Sequence, residues 1–360
     1  MKVGILTFPN SASYGAVLQM YALQRAVKSL GHDVEVINYH NTFMKQERHY
    51  GSDGLKSGVK RLARRIVHNS LYSNFRRFEQ EELDLFPAKA FENADELQRL
   101  GKRYRAVICG SDQVWNPDIT DFDLSYFLNF CDEATRRVAY APSFGIEQFA
   151  DTFCEAIQKD LRQFYAMSAR EESGQQLVQR LTEREVPLVV DPTLLLSAED
   201  WEKLEQPYVS ASEDYILYYT IVSSKTLWNK ALALSQKTGL KLVVVGGNWL
   251  KKHKKHNAQV EYAVDIGPRQ WLYLVHHARY VVTNSFHGTA FSINYRKDFY
   301  VEFSSKTNSR LAQIAGDLEL MDHVVGEAPL KPIAVDYSTA ERVLPLMRQA
   351  SWDYLKQALQ

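Results

Sequence analysis

The sequence has few cysteines, no net charge and no long apolar run, and each shortage excludes a class of protein. Three cysteines, Cys109, Cys131 and Cys154, occur in 360 residues without CxxC spacing, so we expect neither a disulfide framework nor a zinc site. Lys plus Arg equals Asp plus Glu at 43 each, which argues against nucleic acid as a partner. The apolar runs are strand-sized and far shorter than the ~20 residues of a transmembrane helix.

A secretory signal and a dinucleotide fingerprint are also missing. Residues 1–6 enter a strand pattern directly, without the apolar stretch and cleavage site of a signal peptide, so we expect a cytoplasmic protein. The first β-α turn, residues 10–19, has no GxGxxG, and no cofactor is expected. Two histidines lie among four lysines at residues 251–256 without a carboxylate or cysteine, which predicts a solvated loop and no metal.

Strand-type and helix-type periodicities alternate along the chain in two sets. The first set predicts strands at residues 2–7, 34–39, 106–109, 137–140, 167–170 and 188–190, and helices at 16–30 and 151–163, with amphipathic helices over 43–100. The second set predicts strands at 215–220, 241–245, 280–283 and 299–302, and helices at 225–239, 269–277, from 287 and at 340–359.

This alternation predicts an α/β fold of two Rossmann-like domains with the site in an interdomain cleft. We expect an N-terminal domain at residues 1–196, a C-terminal domain at 214–338 and a closing helix at 339–360. A linker at residues 197–213, with a helical start and a polar loop, would join the domains.

The clearest motif is Thr283-Asn284-Ser285-Phe286-His287-Gly288-Thr289, which follows a predicted strand and opens a predicted helix. The start of a helix presents N–H groups and a positive dipole end, which suit phosphate or carboxylate. Ser285 is expected to cap the helix, Gly288 to let the backbone approach a ligand, and His287 to deliver a proton. A capped helix with a half-buried histidine is the structural alternative.

A second motif, Gly110-Ser111-Asp112-Gln113-Val114-Trp115-Asn116-Pro117, follows the predicted strand at residues 106–109. Carboxylate and amide groups bind sugar hydroxyls and an aromatic face covers C–H groups, so this mixture suits a sugar. Ser111, Gln113, Trp115 and Asn116 are the predicted contacts, and Asp112 is a candidate base for a sugar hydroxyl. The alternative is an aspartate-stabilised turn with Trp115 anchored in the core.

Three other stretches could bind ligands. Tyr14 and Gln19 belong to the first β-α turn, where they could contact a ligand or form a well-capped structural turn. Arg170 ends a predicted strand, and Arg310 lies in a later loop. A guanidinium can bind phosphate or carboxylate through paired hydrogen bonds, or it can pair with a nearby acid.

Together and in this order, the motifs resemble the polysaccharide pyruvyl transferase family. The matching stretches are Tyr14-Gly15-Ala16-Val17-Leu18-Gln19, residues 110–116, Ala169-Arg170-Glu171, Asp191-Pro192-Thr193 and residues 285–288. The resemblance implies a glycosyltransferase-B-like pair of Rossmann-like domains. It also implies transfer of pyruvate from phosphoenolpyruvate, the co-substrate, onto two hydroxyls of a sugar in a cell-surface or exopolysaccharide precursor, forming a cyclic ketal.

The resemblance also implies roles for single residues. His287 matches the family's motif histidine and would be the acid, and Arg170 matches its strand-end arginine and would hold the donor. Many family members carry an arginine and a leucine where this chain has Ser285-Phe286, and Arg310 could supply the missing charge. The remaining donor contacts would be Asn284, Ser285, Phe286 and Gly288 on the second domain. Tyr14, Gln19 and the second motif would bind the acceptor, such as a polyprenyl-diphosphate-linked oligosaccharide at the cytoplasmic face of the inner membrane.

Two other functions fit the same architecture. A nucleotide-sugar-dependent glycosyltransferase of polysaccharide biosynthesis would use two Rossmann-like halves without phosphoenolpyruvate. A non-catalytic sugar-binding or scaffolding relative would be consistent with the absent motif arginine.

Overall fold

A computed structural model describes residues 1–41, 58–100, 102–146, 149–208, 214–245, 259–303 and 308–360. The predicted loop at residues 251–256 lies outside these ranges. The chain divides into two compact units, the first formed by Met1–Leu195 with Met347–Gln360 and the second by Leu196–Leu346.

The first unit is built on a parallel sheet. Its described strands are β1 (Lys2–Leu6), β2 (Asp33–Tyr39), β3 (Leu85–Phe91), β4 (Ala106–Cys109), β5 (Arg136–Ala139) and β6 (Ala166–Met167). They lie in the order β3-β2-β1-β4-β5-β6, which is the strand order of a Rossmann fold. The helices between them are α1 (Tyr14–Ser29), α2 (Gly58–Glu82), α3 (Ala94–Leu97), α4 (Pro117–Thr120), α5 (Asp151–Arg162) and α6 (Glu172–Thr182).

The second unit repeats this winding with a smaller sheet. Its described strands are β7 (Tyr215–Tyr219), β8 (Lys241–Val245), β9 (Val260–Ala263), β10 (Tyr280–Thr283) and β11 (Asp298–Val301), in the order β11-β10-β7-β8-β9. Its helices are α7 (Ala198–Glu202), α8 (Lys225–Thr238), α9 (Pro268–His276), α10 (Phe286–Asn294) and α11 (Asn308–Asp317).

The last helix, α12 (Ser338–Leu359), belongs partly to each unit. Its residues up to Leu346 fall in the second unit and those from Met347 in the first. In the first unit the Tyr354 hydroxyl donates to the Ala139 carbonyl at 2.8 Å. This bond ties the helix to the end of β5.

Local sequence explains the first β-α-β unit. Ser13 caps α1 by accepting the N–H of Ala16, and the helix is followed by Gly31 at φ 83°, a conformation that favours glycine. The strand β1 is buried except at its first residue, as expected for a strand covered by helices on both faces. The predicted strand–helix–strand order of residues 2–39 is confirmed.

Several predicted elements were wrong or absent. Residues 85–91, predicted as part of a helical region, form β3 instead. This is an edge strand with Pro87 and a partly exposed pattern, and edges tolerate proline, so it does not look like a buried strand. The predicted strand at residues 188–190 is only an isolated bridge between Leu188 and Ala169, and the predicted strand at 167–170 is shorter, Ala166–Met167. The structure adds β9, α6 and α11, which the periodicity did not indicate.

Candidate functional site

Each sheet reverses its winding at one point, and the predicted site residues cluster there. In the first sheet the reversal lies between β1 and β4, and in the second between β7 and β10. Open α/β sheets bind ligands outside the carboxyl ends of the strands at such a reversal. Two motifs follow β1 and β4, and the third follows β10. Arg170 lies farther along the first sheet, after β6, and Arg310 lies in α11.

A buried hydrogen-bond chain joins the loops after β1 and β4. Gln19 donates from Nε2 to the Thr7 hydroxyl at 3.0 Å, and that hydroxyl donates to the Ser111 carbonyl at 3.0 Å. All three residues have 0% of their surface exposed. The structure therefore places Gln19 and Ser111 beneath the sheet edge, where they hold the two loops together.

Asp112 and Gln113 are the partly exposed residues of the second motif. Asp112 adopts φ 78°, a strained conformation for a residue with a side chain, and its carbonyl accepts the N–H of Ser143 at 2.9 Å. Gln113 accepts from Asn116 Nδ2 at 2.9 Å, and Asn116 also caps α4. The two amides lie so close to Gly145 that a Cβ there would overlap the Gln113 side chain. Asp112 is thus held at the sheet edge by a tightly fitted loop.

Arg170 lies in a buried ion-pair cluster at the same edge. Its guanidinium donates to Asp191 Oδ2 at 2.8 Å and lies 3.5 Å from Glu171 Oε2. The Ser111 hydroxyl donates to the same Asp191 oxygen at 2.8 Å. Burial alone would lower the pKa of Arg170, but the negative charges of Glu171, Asp191 and Asp112 outweigh burial and raise it. Two carboxylates therefore face this guanidinium, which links Arg170 to the second motif through Ser111.

Two partners of this cluster, Glu171 and Asp191, were named from the sequence, and a third was missed. Asp191 accepts both the N–H and the hydroxyl of Thr193, at 3.0 and 2.7 Å, so the Asp191-Pro192-Thr193 stretch fixes its own carboxylate. The Ser143 hydroxyl donates to Glu171 at 2.5 Å. Ser143 belongs to no motif that the sequence suggested. Its position soon after β5, at the same carboxyl edge, is the signal that could have identified it.

Trp115 and Tyr14, both predicted to contact the acceptor, lie in the core. Trp115 is 1% exposed, stacks on Phe127 with centroids 5.2 Å apart, and donates from Nε1 to the Tyr126 carbonyl at 3.0 Å. Tyr14 is 7% exposed and its ring lies 5.0 Å from that of Phe75. The bonds of Trp115 match the structural alternative considered for it.

In the second unit, α10 begins directly after β10. Ser285 caps this helix by accepting the N–H of Gly288 at 3.3 Å, which confirms the predicted cap. His287 lies in the first turn and is 8% exposed. The Phe286 ring stands edge-on to the imidazole, with centroids 5.3 Å apart. The imidazole is therefore largely shielded from solvent and lies near the positive end of the helix dipole.

Asn284 joins the loops after β7 and β10. Its Oδ1 accepts the N–H of Ile221 at 3.0 Å, and its Nδ2 donates to the Val222 carbonyl at 2.7 Å. Asn284 has 0% of its surface exposed, whereas Ile221 is 53% exposed. The side chain predicted to bind the donor therefore holds the edge of the sheet together, and the loop after β7 faces solvent.

Gly288 and Arg310 complete the predicted set. A Cβ on Gly288 would lie 2.5 Å from Thr283 Oγ1 and 3.1 Å from the Tyr219 ring, so the close approach that requires glycine is to the chain's own strands. Arg310 is 4% exposed, and its helix α11 packs against α10. The structure thus brings Arg310 onto a helix that neighbours the one carrying His287.

Comparison with solved structures supports the architecture. The UDP-GlcNAc 2-epimerase from Methanocaldococcus jannaschii superposes with a TM-score of 0.51 and 12% identity, over 96% of this chain and 99% of that chain. A Listeria monocytogenes protein assigned as a UDP-N-acetylglucosamine 2-epimerase gives a TM-score of 0.55 and 10% identity, over 99% and 90%. At these identities the likeness concerns the fold alone. The chain is an α/β protein of the glycosyltransferase-B-like class, with two parallel sheets.

Within that class, the sequence defines the family. The model of the polysaccharide pyruvyl transferase family matches residues 14–301. This range includes every matching stretch named above, whereas Arg310 lies outside it. The chain belongs to the polysaccharide pyruvyl transferase family and is an enzyme of this kind. No curated protein matches it significantly. In the described part of the chain, no helix is both long and apolar enough to cross a membrane.

Proposed function

We propose that this enzyme transfers pyruvate from phosphoenolpyruvate onto two hydroxyls of a sugar in a cell-surface or exopolysaccharide precursor. The family assignment supports the transferred group. The structural observation that carries the proposal is His287 in the first turn of α10, at the carboxyl end of β10. A proton donor beside the positive end of a helix suits an anionic enol phosphate.

The chemistry places the proton first. The protonated His287 imidazole gives a proton to C3 of phosphoenolpyruvate, which makes C2 electrophilic. One sugar hydroxyl attacks C2, the bond from C2 to the phosphate oxygen breaks, and the second hydroxyl closes the ketal. One hydroxyl proton returns to the imidazole and the other leaves with hydrogen phosphate, so protons and charge balance. Asp112, partly exposed at the first sheet edge, is the proposed base that takes this second proton from its hydroxyl and passes it to the departing phosphate.

The ion pairs of Arg170 favour a positioning role over a direct hold on the donor. Two carboxylates already face its guanidinium, and Asp191 connects it to Ser111 next to Asp112. We therefore assign to Arg170 the orientation of the second motif, and to Arg310 the charge that the family's motif arginine would supply. Gln113 is the proposed neutral contact for the acceptor.

The acceptor is proposed to be an oligosaccharide on a polyprenyl diphosphate carrier. Work on such an acceptor would place the enzyme at the cytoplasmic face of the inner membrane, as a peripheral protein. Detergent-solubilised lipid-linked oligosaccharides therefore belong in the assay beside simple glycosides.

The test is phosphate release from phosphoenolpyruvate with nitrophenyl and lipid-linked galactosides, glucosides and mannosamine derivatives, with the ketal methyl group detected by NMR. His287→Asn should lower the rate by about 10²–10⁴-fold, the usual contribution of a general acid. His323→Asn is the matched control, because His323 is a similarly buried histidine (9% exposed) of the same unit with no proposed role.

Two outcomes would count against the proposal. One is an absence of both phosphoenolpyruvate binding by calorimetry and phosphate release with every acceptor. The other is full activity in a folded His287→Asn variant. Thermal stabilisation by UDP or GDP, with none from phosphoenolpyruvate, would instead support a nucleotide-sugar-dependent glycosyltransferase.

A further inference from the structure

We propose that Glu205, His276 and His277 bind one divalent transition-metal ion of the zinc type, with Glu202 orienting His276. Two imidazoles and a carboxylate form a ligand set that suits zinc. Among the residues that the structure describes, this is the group of three such side chains whose ligand atoms converge within 4.8 Å of one another.

The distances between the ligand atoms are close to those of an occupied site. His276 Nδ1 lies 2.9 Å from Glu205 Oε1, and His277 Nε2 lies 3.3 Å from Glu205 Oε2. Zinc holds nitrogen and oxygen ligands at about 2.0–2.2 Å, which separates two ligands of one tetrahedral ion by about 3.4 Å. The three ligand atoms lie within 4.8 Å of one another, so side-chain rotations that bring them to about this separation would form a three-ligand site, with water in the fourth position.

The second ring nitrogen of His276 has its own carboxylate. His276 Nε2 lies 3.7 Å from Glu202 Oε1, an ion-pair distance that has to shorten for a hydrogen bond, while Nδ1 faces Glu205. A metal-binding histidine usually donates its other N–H to a carboxylate, which fixes the tautomer and the ring orientation. Glu202 and Glu205 together also bring two negative charges to the cluster, against the positive charge of the neighbouring Lys297.

Aromatic contacts hold both imidazoles in place. The Tyr295 ring stacks on His276 with centroids 4.4 Å apart and an interplanar angle of 11°. The Tyr273 ring lies against His277 with centroids 4.1 Å apart. The Glu205 side chain is 9% exposed whereas that of His277 is 45% exposed, so an ion can enter from the histidine side.

The cluster lies away from the proposed chemistry. His276 ends α9, and His277 comes three residues before β10 begins, which is the amino edge of the second sheet. His287 lies at the carboxyl edge of the same sheet. An ion here would fasten the segment after α7 to the end of α9, next to the existing bond from the Gln206 N–H to the Arg269 carbonyl at 3.2 Å. Its role is therefore structural.

The experiment titrates chelator-treated full-length protein with Zn²⁺ by calorimetry and with Co²⁺ by visible absorption. We expect one ion per chain, a tetrahedral Co²⁺ spectrum, and a rise in the melting temperature on adding Zn²⁺. Glu205→Gln and His277→Gln should each weaken Zn²⁺ binding by at least about tenfold, and Glu202→Gln by about tenfold. Both ligand variants should fold, because His277 is exposed and glutamine preserves the shape of Glu205.

The control is the double variant His253→Gln with His256→Gln, which removes the other histidine pair of the sequence and should leave binding unchanged. The proposal is overturned if the wild-type protein binds no Zn²⁺, or if Glu205→Gln and His277→Gln bind it as tightly as wild type. None of these measurements uses phosphoenolpyruvate, so failure here leaves the proposed activity untouched.

Discussion

The two sheet edges share one construction and differ in charge. In the first unit the Thr7 hydroxyl links the loops after β1 and β4, and in the second unit the Asn284 amide links the loops after β7 and β10. The first edge then adds a buried arginine with two carboxylates. The second edge adds a histidine at a helix start. The first sheet edge thus carries a buried charged cluster, and the second carries the proposed proton donor.

This difference distinguishes residues that hold the loops of the first edge from the residue proposed to act in catalysis. Arg170 and Ser111 both donate to Asp191, so we expect these residues to stabilise the first edge. His287 lies in the first turn of α10, a place that follows from the Ser285 cap, and it is the proposed proton donor. Substitutions at the first edge should therefore change stability first, and those at the second should change activity first.

The largest expected effect is at Arg170. Arg170→Met leaves Asp191 and Glu171 buried without their cation, which should lower the free energy of unfolding by about 3–5 kcal/mol. Urea denaturation measures this loss, and amide exchange should show it in peptides of the first unit. Arg170→Lys, which keeps the charge but not the forked geometry, should lose less. His287→Asn should cost under about 1 kcal/mol. If Arg170→Met and His287→Asn lower the free energy of unfolding by similar amounts, the proposed difference between the two edges is wrong.

Asn284 and Thr7, which each link two loops at a sheet edge, should both contribute to the free energy of unfolding. Asn284→Ala strands the Ile221 N–H and the Val222 carbonyl, and should lower the free energy of unfolding by about 2–3 kcal/mol. Thr7→Val is the counterpart in the first unit and keeps the side-chain shape, so a loss of about 1–2 kcal/mol is expected. Thermal melts of the two variants make the comparison. If Asn284→Ala leaves the free energy of unfolding unchanged, other contacts hold the second edge.

The sequence predicted the architecture better than the roles. Periodicity identified strands β4, β8 and β10 at their observed bounds, because buried parallel strands are short continuous apolar runs. It missed β3, because this edge strand is partly exposed and contains a proline, so it lacks the continuous apolar run of a buried strand. Motif composition drew attention to loops that lie at the carboxyl edges of the two sheets. It could not tell whether a polar side chain faces ligand or protein, because that depends on partners distant in the chain, such as Ser111 and Asp191, 80 residues apart.

Gly288 tests whether packing or ligand access requires glycine at the second edge. Gly288→Ala places a methyl group 2.5 Å from Thr283 Oγ1, which should lower stability by about 1–2 kcal/mol through overpacking. Gly316→Ala is the matched control in α11, since nothing lies within 4 Å of its added Cβ, and it should stabilise by about 0.4–1 kcal/mol. Calorimetric melts separate the two. A stable but inactive Gly288→Ala would instead indicate that the glycine makes room for substrate.

The last and smallest contrast concerns charge pairs on the strands themselves. In the first sheet, Glu35 accepts two hydrogen bonds from Arg103 at 2.8 Å each and lies 2.7 Å from Lys2 Nζ. Burial tends to raise the pKa of Glu35, but the bonds from Arg103, Lys2 and Tyr104 outweigh burial and lower the pKa to about 2. In the second sheet, Glu261 on the edge strand β9 lies 3.3 Å from Lys241 Nζ.

Glu35→Gln should therefore destabilise the protein at neutral pH by about 1 kcal/mol, a value kept small because the surrounding charges are partly solvated. A carboxyl group with a lowered pKa stabilises the fold above its unfolded value, 4.5, and loses that contribution as the pH falls toward about 2. The difference between wild type and variant should thus be constant above about pH 5 and shrink steadily below it. Urea titrations across this range measure it, with Glu261→Gln as the control that changes stability by less than about 0.5 kcal/mol. A difference that persists at the acid end would mean that Glu35 acts by packing, and the charged character of the first unit would then rest on Arg170 and its two carboxylates alone.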